Sequence, residues 1–261
     1  KAEDLLAVLR PAVRMLCTDR EMGILFSGGI DSTIVAVLAA EMGGVRLYTA
    51  GVAGAHDLRI AEETAEALGF PWEGIEVSED QVVRSVVPLA TVIGTEHILP
   101  ISYEMPAFLV MGLGKEKSYL SGQGADELFG GYMRYLSMPP DRLRDAMRGD
   151  LEVLLGGGVS LEKAVAHHYA KEICHPYLDP AVVRFASSLT ASDCVKNGMR
   201  KAVLVQVASI LGLDFLATRQ KKAAQYGSGV MNVLKTAAKE RGVPVSSLPS
   251  ALRSEGKAFK G

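Results

Sequence analysis

Ser27-Gly28-Gly29-Ile30-Asp31-Ser32 combines the residue types best suited in this chain to grip a charged ligand. Glycines let the backbone turn sharply enough for successive N–H groups to converge on an anion, and the serine hydroxyls add further donors. A helix starting at that point contributes the partial positive charge of its amino end. Such a loop is built for phosphates. The carboxylate of Asp31 would repel a phosphate on its own, so its presence predicts a Mg2+ ion shared between carboxylate and phosphate oxygens. A second glycine-rich stretch, Ser121-Gly122-Gln123-Gly124-Ala125-Asp126-Glu127, offers another carboxylate, Asp126, in a similar loop. Two anions facing one another predict a divalent cation between them.

Other chemistries are excluded by spacing. Gly112-Leu113-Gly114-Lys115 has Leu109 where a Walker loop needs its first glycine and lacks Ser or Thr after the lysine. No G-x-G-x-x-G follows the first strand, so a dinucleotide fold is not indicated. His168, Glu172, Cys174 and His175 lie close together in the chain, but Pro176 interrupts the helix and no zinc spacing is met. His56, His97 and His167 show no partner pattern.

The elements that must position these loops follow from periodicity. Met22 to Phe26 is an apolar strand, and Ile34, Val35, Leu38 and Met42 recur at helical spacing from Asp31 until Gly43-Gly44. Val45 to Ala50 and Trp72 to Val77 read as strands around a helix from Asp57 to Leu68, which Gly69 closes. This βαβαβ order predicts an α/β fold, a doubly wound, mostly parallel sheet with helices on both faces. Glu79 to Leu89 and Tyr103 to Leu113 read as helices, and Ser118 to Leu120 as a strand running into the second loop. In such a sheet both glycine-rich exits lie at the carboxyl edge and face one pocket. From about Arg142 the pattern is mainly helical, interrupted by Gly156-Gly157-Gly158 and by Pro176 to Pro180. A nucleotide-binding core over 1–140 and a mainly helical part over 141–261, packed on the core and completing the site, are the expected divisions. The tail from Val243, with Pro244, Pro249 and several serines, reads as poorly ordered.

The hexapeptide Ser27 to Ser32 resembles the pyrophosphate-binding loop of the PP-loop ATP pyrophosphatase (adenine nucleotide α-hydrolase-like) superfamily. Three further stretches in the right order resemble the synthetase domain of asparagine synthetases. They are Gly51-Val-Ala-Gly-Ala-His-Asp57-Leu58, Ser121 to Tyr132, and Arg219-Gln-Lys221-Lys-Ala-Ala-Gln-Tyr-Gly227-Ser-Gly229. The resemblance spans roughly Ile24 to Gly229. It implies adenine contacts from Leu25 and Ala50, further ATP contacts from Ser121 and Gly122, and phosphate contacts from Ser27, Gly28, Gly29, Asp31 and Ser32. It implies ATP and Mg2+ as cofactors, the metal on Asp31 and Asp126, and Lys221 as the lysine that stabilises charge while the adenylate forms and collapses. From Lys196 to Lys222 six basic residues accompany one acidic residue, Asp214, which suits that role.

This sequence departs from the family at Gln123, where a glutamate is usual. A carboxylate can pair with a substrate ammonium or accept a proton, whereas an amide only hydrogen-bonds. Glu172-Ile-Cys-His-Pro176-Tyr-Leu-Asp179 resembles the family's Glu-x-Arg-x-Pro-Phe-Leu-Asp with Cys174 for the arginine, and Glu172 is expected to compensate for Gln123. Asp150 and Glu162 are the candidates for an acidic residue upstream of that stretch. Lys1 in place of a methionine indicates a processed chain or a piece of a longer one. The loop-bearing strand starts soon after Lys1, so this chain is not expected to hydrolyse glutamine by the family's amino-terminal route. Ammonia is then expected free or from a separate glutaminase subunit, unless a glutaminase domain has been removed or an amine on the substrate itself attacks.

The function implied is an acyl-adenylate of aspartate, or of a related carboxylate, formed with pyrophosphate release and resolved by ammonia to asparagine. Adenylation of another carboxylate, including lactam closure, modification of a tRNA base, and a regulatory subunit that only binds adenine nucleotide are the alternatives. Composition agrees with a folded globular chain: 48% of 261 residues are hydrophobic, 22% charged, and 28 basic against 30 acidic residues leave a net charge of −2. That balance disfavours nucleic acid and acidic lipid as partners and leaves room for a homo-oligomer. Three unpaired-looking cysteines and the lack of an apolar run of spanning length point to a reducing, cytoplasmic setting without a membrane partner.

Overall fold

The computed structural model describes residues 1–216 and 224–258. Five parallel strands form the central sheet: β1 (Glu21–Leu25), β2 (Gly44–Val52), β3 (Trp72–Val77), β4 (Ser118–Leu120) and β5 (Glu172–Cys174), in the order β3-β2-β1-β4-β5. The chain winds outward from β1 to β3 on one side, then returns to place β4 on the other side of β1. The winding direction therefore reverses between β1 and β4. Loops leaving the strands on either side of such a reversal diverge and leave a crevice at the carboxyl edge, where ligands of open α/β sheets bind.

Alternation along each strand sends its side chains to two cores. Met22, Ile24 and Leu47 face a layer built by α1 (Ala2–Leu16), α2 (Ile30–Ala40) and α3 (His56–Leu68), which Leu5, Leu9, Ile34, Leu38 and Ala61 fill. Tyr48, Ala50 and Ile75 face the opposite layer, formed first by α4 (Glu79–Ile93) and α5 (Ile98–Leu113). Ser78 starts α4 with a reciprocal capping box to Gln81, and a left-handed Gly94 ends it. The helix thus runs past Pro88, beyond the sequence boundary at Leu89, and α5 starts five residues before the expected Tyr103.

Elements after residue 140 serve both layers. α7 (Pro140–Val153), α9 (Pro180–Ser187) and α11 (Ala202–Ile210) join the α1 side, with α6 (Ala125–Phe129) preceding them and a short α10 (Ala191–Cys194) between. α8 (Val159–His168), α13 (Val230–Glu240) and α14 (Leu248–Ala258) join the α5 side, with the short α12 (Ala224–Gly227) leading into α13. The same stretch of chain supplies β5 to the sheet, a strand of three residues that periodicity does not disclose.

Two local expectations are corrected. Gly156-Gly157-Gly158 does not interrupt the helical run; Leu154–Gly158 forms a wide π-type turn that joins α7 to α8. The tail from Val243 is ordered through Ala258, not frayed. Leu248 is fully buried, Leu252 packs beside it against the second core, and Arg253 pairs with Glu96 at 2.9 Å. Apolar residues four apart outweigh the prolines and serines around them. No single described helix is long and apolar enough to cross a membrane.

Candidate functional site

The first loop leaves β1 at Phe26, whose N–H reaches across to Tyr48 carbonyl oxygen at 2.8 Å. Gly28 takes φ +68°, and a methyl group there would stand 2.6 Å from the Ile60 carbonyl oxygen, so only glycine fits. Within the loop, Ser27 N–H donates to Ser32 Oγ at 3.3 Å and Gly29 N–H to Ser27 Oγ at 3.4 Å. Gly29 is the N-cap of α2, and its carbonyl accepts from Thr33 Oγ1 at 2.8 Å. The serine hydroxyls take up the Ser27 and Gly29 N–H groups, and the turn leads into the amino end of an 11-residue helix, whose first N–H groups have no partner within the helix. That is the geometry of an anion cradle.

The second loop meets it directly. A methyl group on Gly122 would lie 3.1 Å from both Asp31 Cβ and Ser32 N, so the two loops are in van der Waals contact across the crevice between β1 and β4. Ser121 is held by its N–H to the Cys174 carbonyl at 3.0 Å, and its Oγ accepts Gln123 N–H at 3.2 Å. Tyr177, fully buried, donates to the Asp31 carbonyl at 3.1 Å and pins the first turn of α2 from the far side. Leu25 is the last residue of β1, and Ala50 lies two residues before the end of β2, toward the same carboxyl edge of the sheet.

The space between the carboxylates holds a residue that sequence reasoning passed over. Lys201 Nζ lies 2.7 and 2.5 Å from the two oxygens of Asp31 and 2.5 Å from Asp126 Oδ1. An ammonium thus occupies the position where a divalent cation alone was expected. Lys201 is 5% exposed and sits in the left-handed region at φ +56°, a conformation that costs a non-glycine residue about 1–2 kcal/mol. Gly131 makes room for it; a methyl group there would overlap Asp126 Oδ1 and Lys201 Cε. The hairpin Val195–Lys196 and Met199–Arg200, whose turn is Asn197-Gly198, delivers the lysine. Asn-Gly is a strong sign of a two-residue hairpin turn, and it is the signal that could have located Lys201.

Asp31 and Asp126 still form a donor set that suits Mg2+. That ion typically takes one or two carboxylates and fills its remaining positions with phosphate oxygens and water. Among the described residues no three His, Cys, Asp or Glu side chains gather as a metal site.

Of the residues expected to act on substrate, Gln123 is present beside the crevice. Its Oε1 is buried and finds no hydrogen-bond partner among the described residues, an acceptor left for a donor from a ligand. Glu172 is not brought to the site: its side chain is exposed at the amino end of β5, level with Ser118, three residues before the loop begins. Strand polarity places Cys174 and His175 at the carboxyl edge instead. Asp150 pairs with Arg134 and Tyr135, whereas buried Glu162 reaches Ser121 Oγ at 3.3 Å and is the acidic residue that approaches the second loop. Lys221 lies outside the described residues. Burial pushes all three thiols up, Cys194 to about 11, which keeps them protonated and unsuited to nucleophilic attack.

The asparagine synthase family model matches residues 4–152. An asparagine synthetase 1 homologue of glutamine-hydrolysing type from Methanocaldococcus jannaschii is 31% identical over 262 aligned positions, covering 85% of this chain and 48% of the relative. The glutamine-hydrolysing asparagine synthetase of Asparagus officinalis is 32% identical over 142 positions, 49% of this chain and 24% of the relative. The chain therefore spans half or less of the length of these relatives. Among solved structures, NMN synthetase from Francisella tularensis overlays with a TM-score of 0.49 at 15% identity, covering 97% of this chain and 87% of that one.

Proposed function

Because the chain belongs to the asparagine synthase family, we propose that it is an ATP-dependent amide ligase that adenylates a carboxylate, foremost the side chain of aspartate, and releases pyrophosphate. One observation carries this: Gly122 is seated on Asp31 and Ser32, so two glycine-rich loops make a single cradle at the reversal point of the sheet. A triphosphate laid in that cradle would rest its β- and γ-phosphates in the Ser27 to Ser32 loop, against the amino end of α2. The α-phosphorus then faces the second loop, open to attack by a carboxylate oxygen. Attack forms the acyl-adenylate and breaks the bond to the β-phosphate; ammonia then adds at the acyl carbon and AMP departs. Orientation and charge stabilisation supply the advantage, with no protein nucleophile.

Lys201 is placed to follow the charge. Its ammonium, held by both carboxylates at the crevice, would offset the charge of the pyrophosphate as it separates. Mg2+, held by Asp31 and Asp126, would neutralise the β- and γ-oxygens when bound. Leu25 and Ala50 would border the adenine, with Ser121 and Gly122 near the sugar and α-phosphate. Lys221 would meet the charge developing on the adenylate. Nitrogen would arrive as free ammonia or from a glutaminase partner, and the reaction would take place in the cytoplasm.

Incubation with Mg-ATP and ammonium, with amino acids added singly, tests the proposal. Aspartate-dependent AMP, pyrophosphate and asparagine are expected. ADP with orthophosphate as products would refute it. Nucleotide binding without pyrophosphate release under any acid would favour a regulatory subunit, a role that Gln123 in place of glutamate also fits.

A further inference from the structure

Behind Ser121 lie three buried ionisable groups for which phosphate binding has no use. Glu104 on α5 is 2% exposed, and Glu162 on α8 and His175 after β5 are each 7% exposed. One oxygen of Glu162 accepts from Ser121 Oγ at 3.3 Å, and the other lies 2.6 Å from His175 Nε2. Since Ser121 Oγ also accepts Gln123 N–H, a continuous line of hydrogen bonds runs from the second loop through one hydroxyl to a carboxylate and an imidazole. Glu104 borders the same cluster; burial and then the charge of Glu162 push its carboxyl well above the usual range, which holds it neutral.

Burying such groups is costly, and a neutral hydrogen-bonded pair would tie α8 to β5 at less expense. A carboxylate and imidazole in contact do what a neutral pair cannot: they take up a proton and give it back. The amide-forming step of the ligase proposed above, on which this inference rests, needs that capacity. At neutral pH the nitrogen source is ammonium, which has no free lone pair. Converting it and an acyl-adenylate to an amide forms a C–N bond, breaks the acyl C–O bond, expels AMP and releases two protons. Gln123 can accept neither.

We propose that Glu162 and His175 receive the first of these protons through the Ser121 hydroxyl. The ammonium N–H gives its proton to Ser121 Oγ while the serine proton passes to Glu162 Oε1, with His175 stabilising the transferred charge. The freed nitrogen lone pair attacks the acyl carbon, and the second proton leaves to solvent with AMP. Glu162 and His175 act through Ser121, so they are positioning and relay residues; Ser121 is the group that meets the nucleophile.

Glu162→Gln and His175→Gln test this in the intact chain, each keeping a hydrogen-bonding group in place. Adenylate formation is read by aspartate-dependent ATP–pyrophosphate exchange. Amide formation is read separately with ammonium chloride and with hydroxylamine, which is largely unprotonated at neutral pH and needs no deprotonation before attack. Ammonium-dependent rates are expected to fall by about 100-fold, while exchange and hydroxylamine-dependent rates fall by less than about threefold. Equal losses with both nucleophiles, loss of exchange in parallel, or no loss at all would overturn the relay. Thermal melts accompany each assay; if Glu162→Gln melts early, His175→Gln decides alone. A wild-type chain silent in exchange with every carboxylate would instead refute the ligase itself.

Discussion

The two glycine-rich loops face the same crevice but are held by different forces. The Ser27 to Ser32 turn is tied largely by neutral groups: Ser27 N–H to Ser32 Oγ and Thr33 Oγ1 to the Gly29 carbonyl span at most five residues, and the Thr64 and Tyr177 hydroxyls brace the Gly28 and Asp31 carbonyls from outside, with Asp31 alone meeting an ion through Lys201. The Ser121 to Asp126 loop hangs on charged groups from distant chain segments. Ser121 leans on Glu162, and Asp126 shares Lys201 with Asp31, a residue 170 positions away from the lysine. A locally tied turn offers a rigid seat for phosphates, whose charge is the same in every substrate complex. A loop hung on ionisable groups can respond to charge that appears and moves as reaction proceeds. Rigidity serves the common part of the substrate, and ionic mounting the part that changes.

The sharpest way to break this comparison is Lys201→Met. Removing one partner of a buried ion pair leaves carboxylates in a poorly solvated place, at a cost of roughly 3–5 kcal/mol. Chemical denaturation should show that loss. If Asp31 and Asp126 suit a divalent ion, added Mg2+ should raise the melting temperature of the variant more than that of the parent. An unchanged stability would mean that the second loop does not depend on the ammonium.

The same difference in wiring decides what the sequence disclosed. The hexapeptide Ser27 to Ser32 was legible because its geometry is mostly local: strand, two glycines and helix are consecutive, and Thr64 and Tyr177 only brace from outside a turn that its own residues already close. The parallel βαβαβ start was legible for the same reason, each element carrying its own periodicity. Lys201 was not, since the hairpin that aims it pairs only two residues a side and its targets are remote. Glu172 was misplaced because β5 is only three residues long, so nothing in its pattern shows which end faces the crevice. Glu162 stood as one of two candidates until α8 settled which one meets Ser121.

A pH series on Glu104→Gln sharpens the ionic side. The folded-state value of Glu104 is raised, so its contribution is fully present below its ordinary value of 4.5 and is lost as pH rises toward the folded value. Over that window the unfolded chain releases the proton that the folded chain keeps, and the parent loses stability. Glu104→Gln has no proton to lose. Denaturation should find the variant gaining on the parent from acid to neutral pH; parallel curves would place Glu104 outside the network.

On the local side, Gly28→Ala asks how rigid the first turn is. The left-handed backbone alone costs about 1–2 kcal/mol. Overlap with the Ile60 carbonyl, 2.6 Å from the new methyl group, adds to it. A loss independent of pH and salt is expected, with weaker nucleotide binding by calorimetry because the turn can no longer close on the phosphates. Salt dependence here would erase the distinction between the loops.

The smallest effects come from one deletion made twice. Ser32→Ala removes a hydroxyl that exchanges bonds only with neutral backbone and Ser27, and should cost about 0.5–1.5 kcal/mol. Ser121→Ala removes the same atom from a bond to a carboxylate and should cost more, about 1.5–3 kcal/mol, the range for hydrogen bonds to charged groups. The Ser121 loss should also shrink when Glu162→Gln is already present, since the charge it served has gone, whereas Ser32→Ala should be indifferent to Glu162. A double-mutant cycle read by denaturation measures that coupling directly. Coupling of Glu162 to Ser121 but not to Ser32 is the outcome that separates a loop wired to distant charge from one that closes on itself.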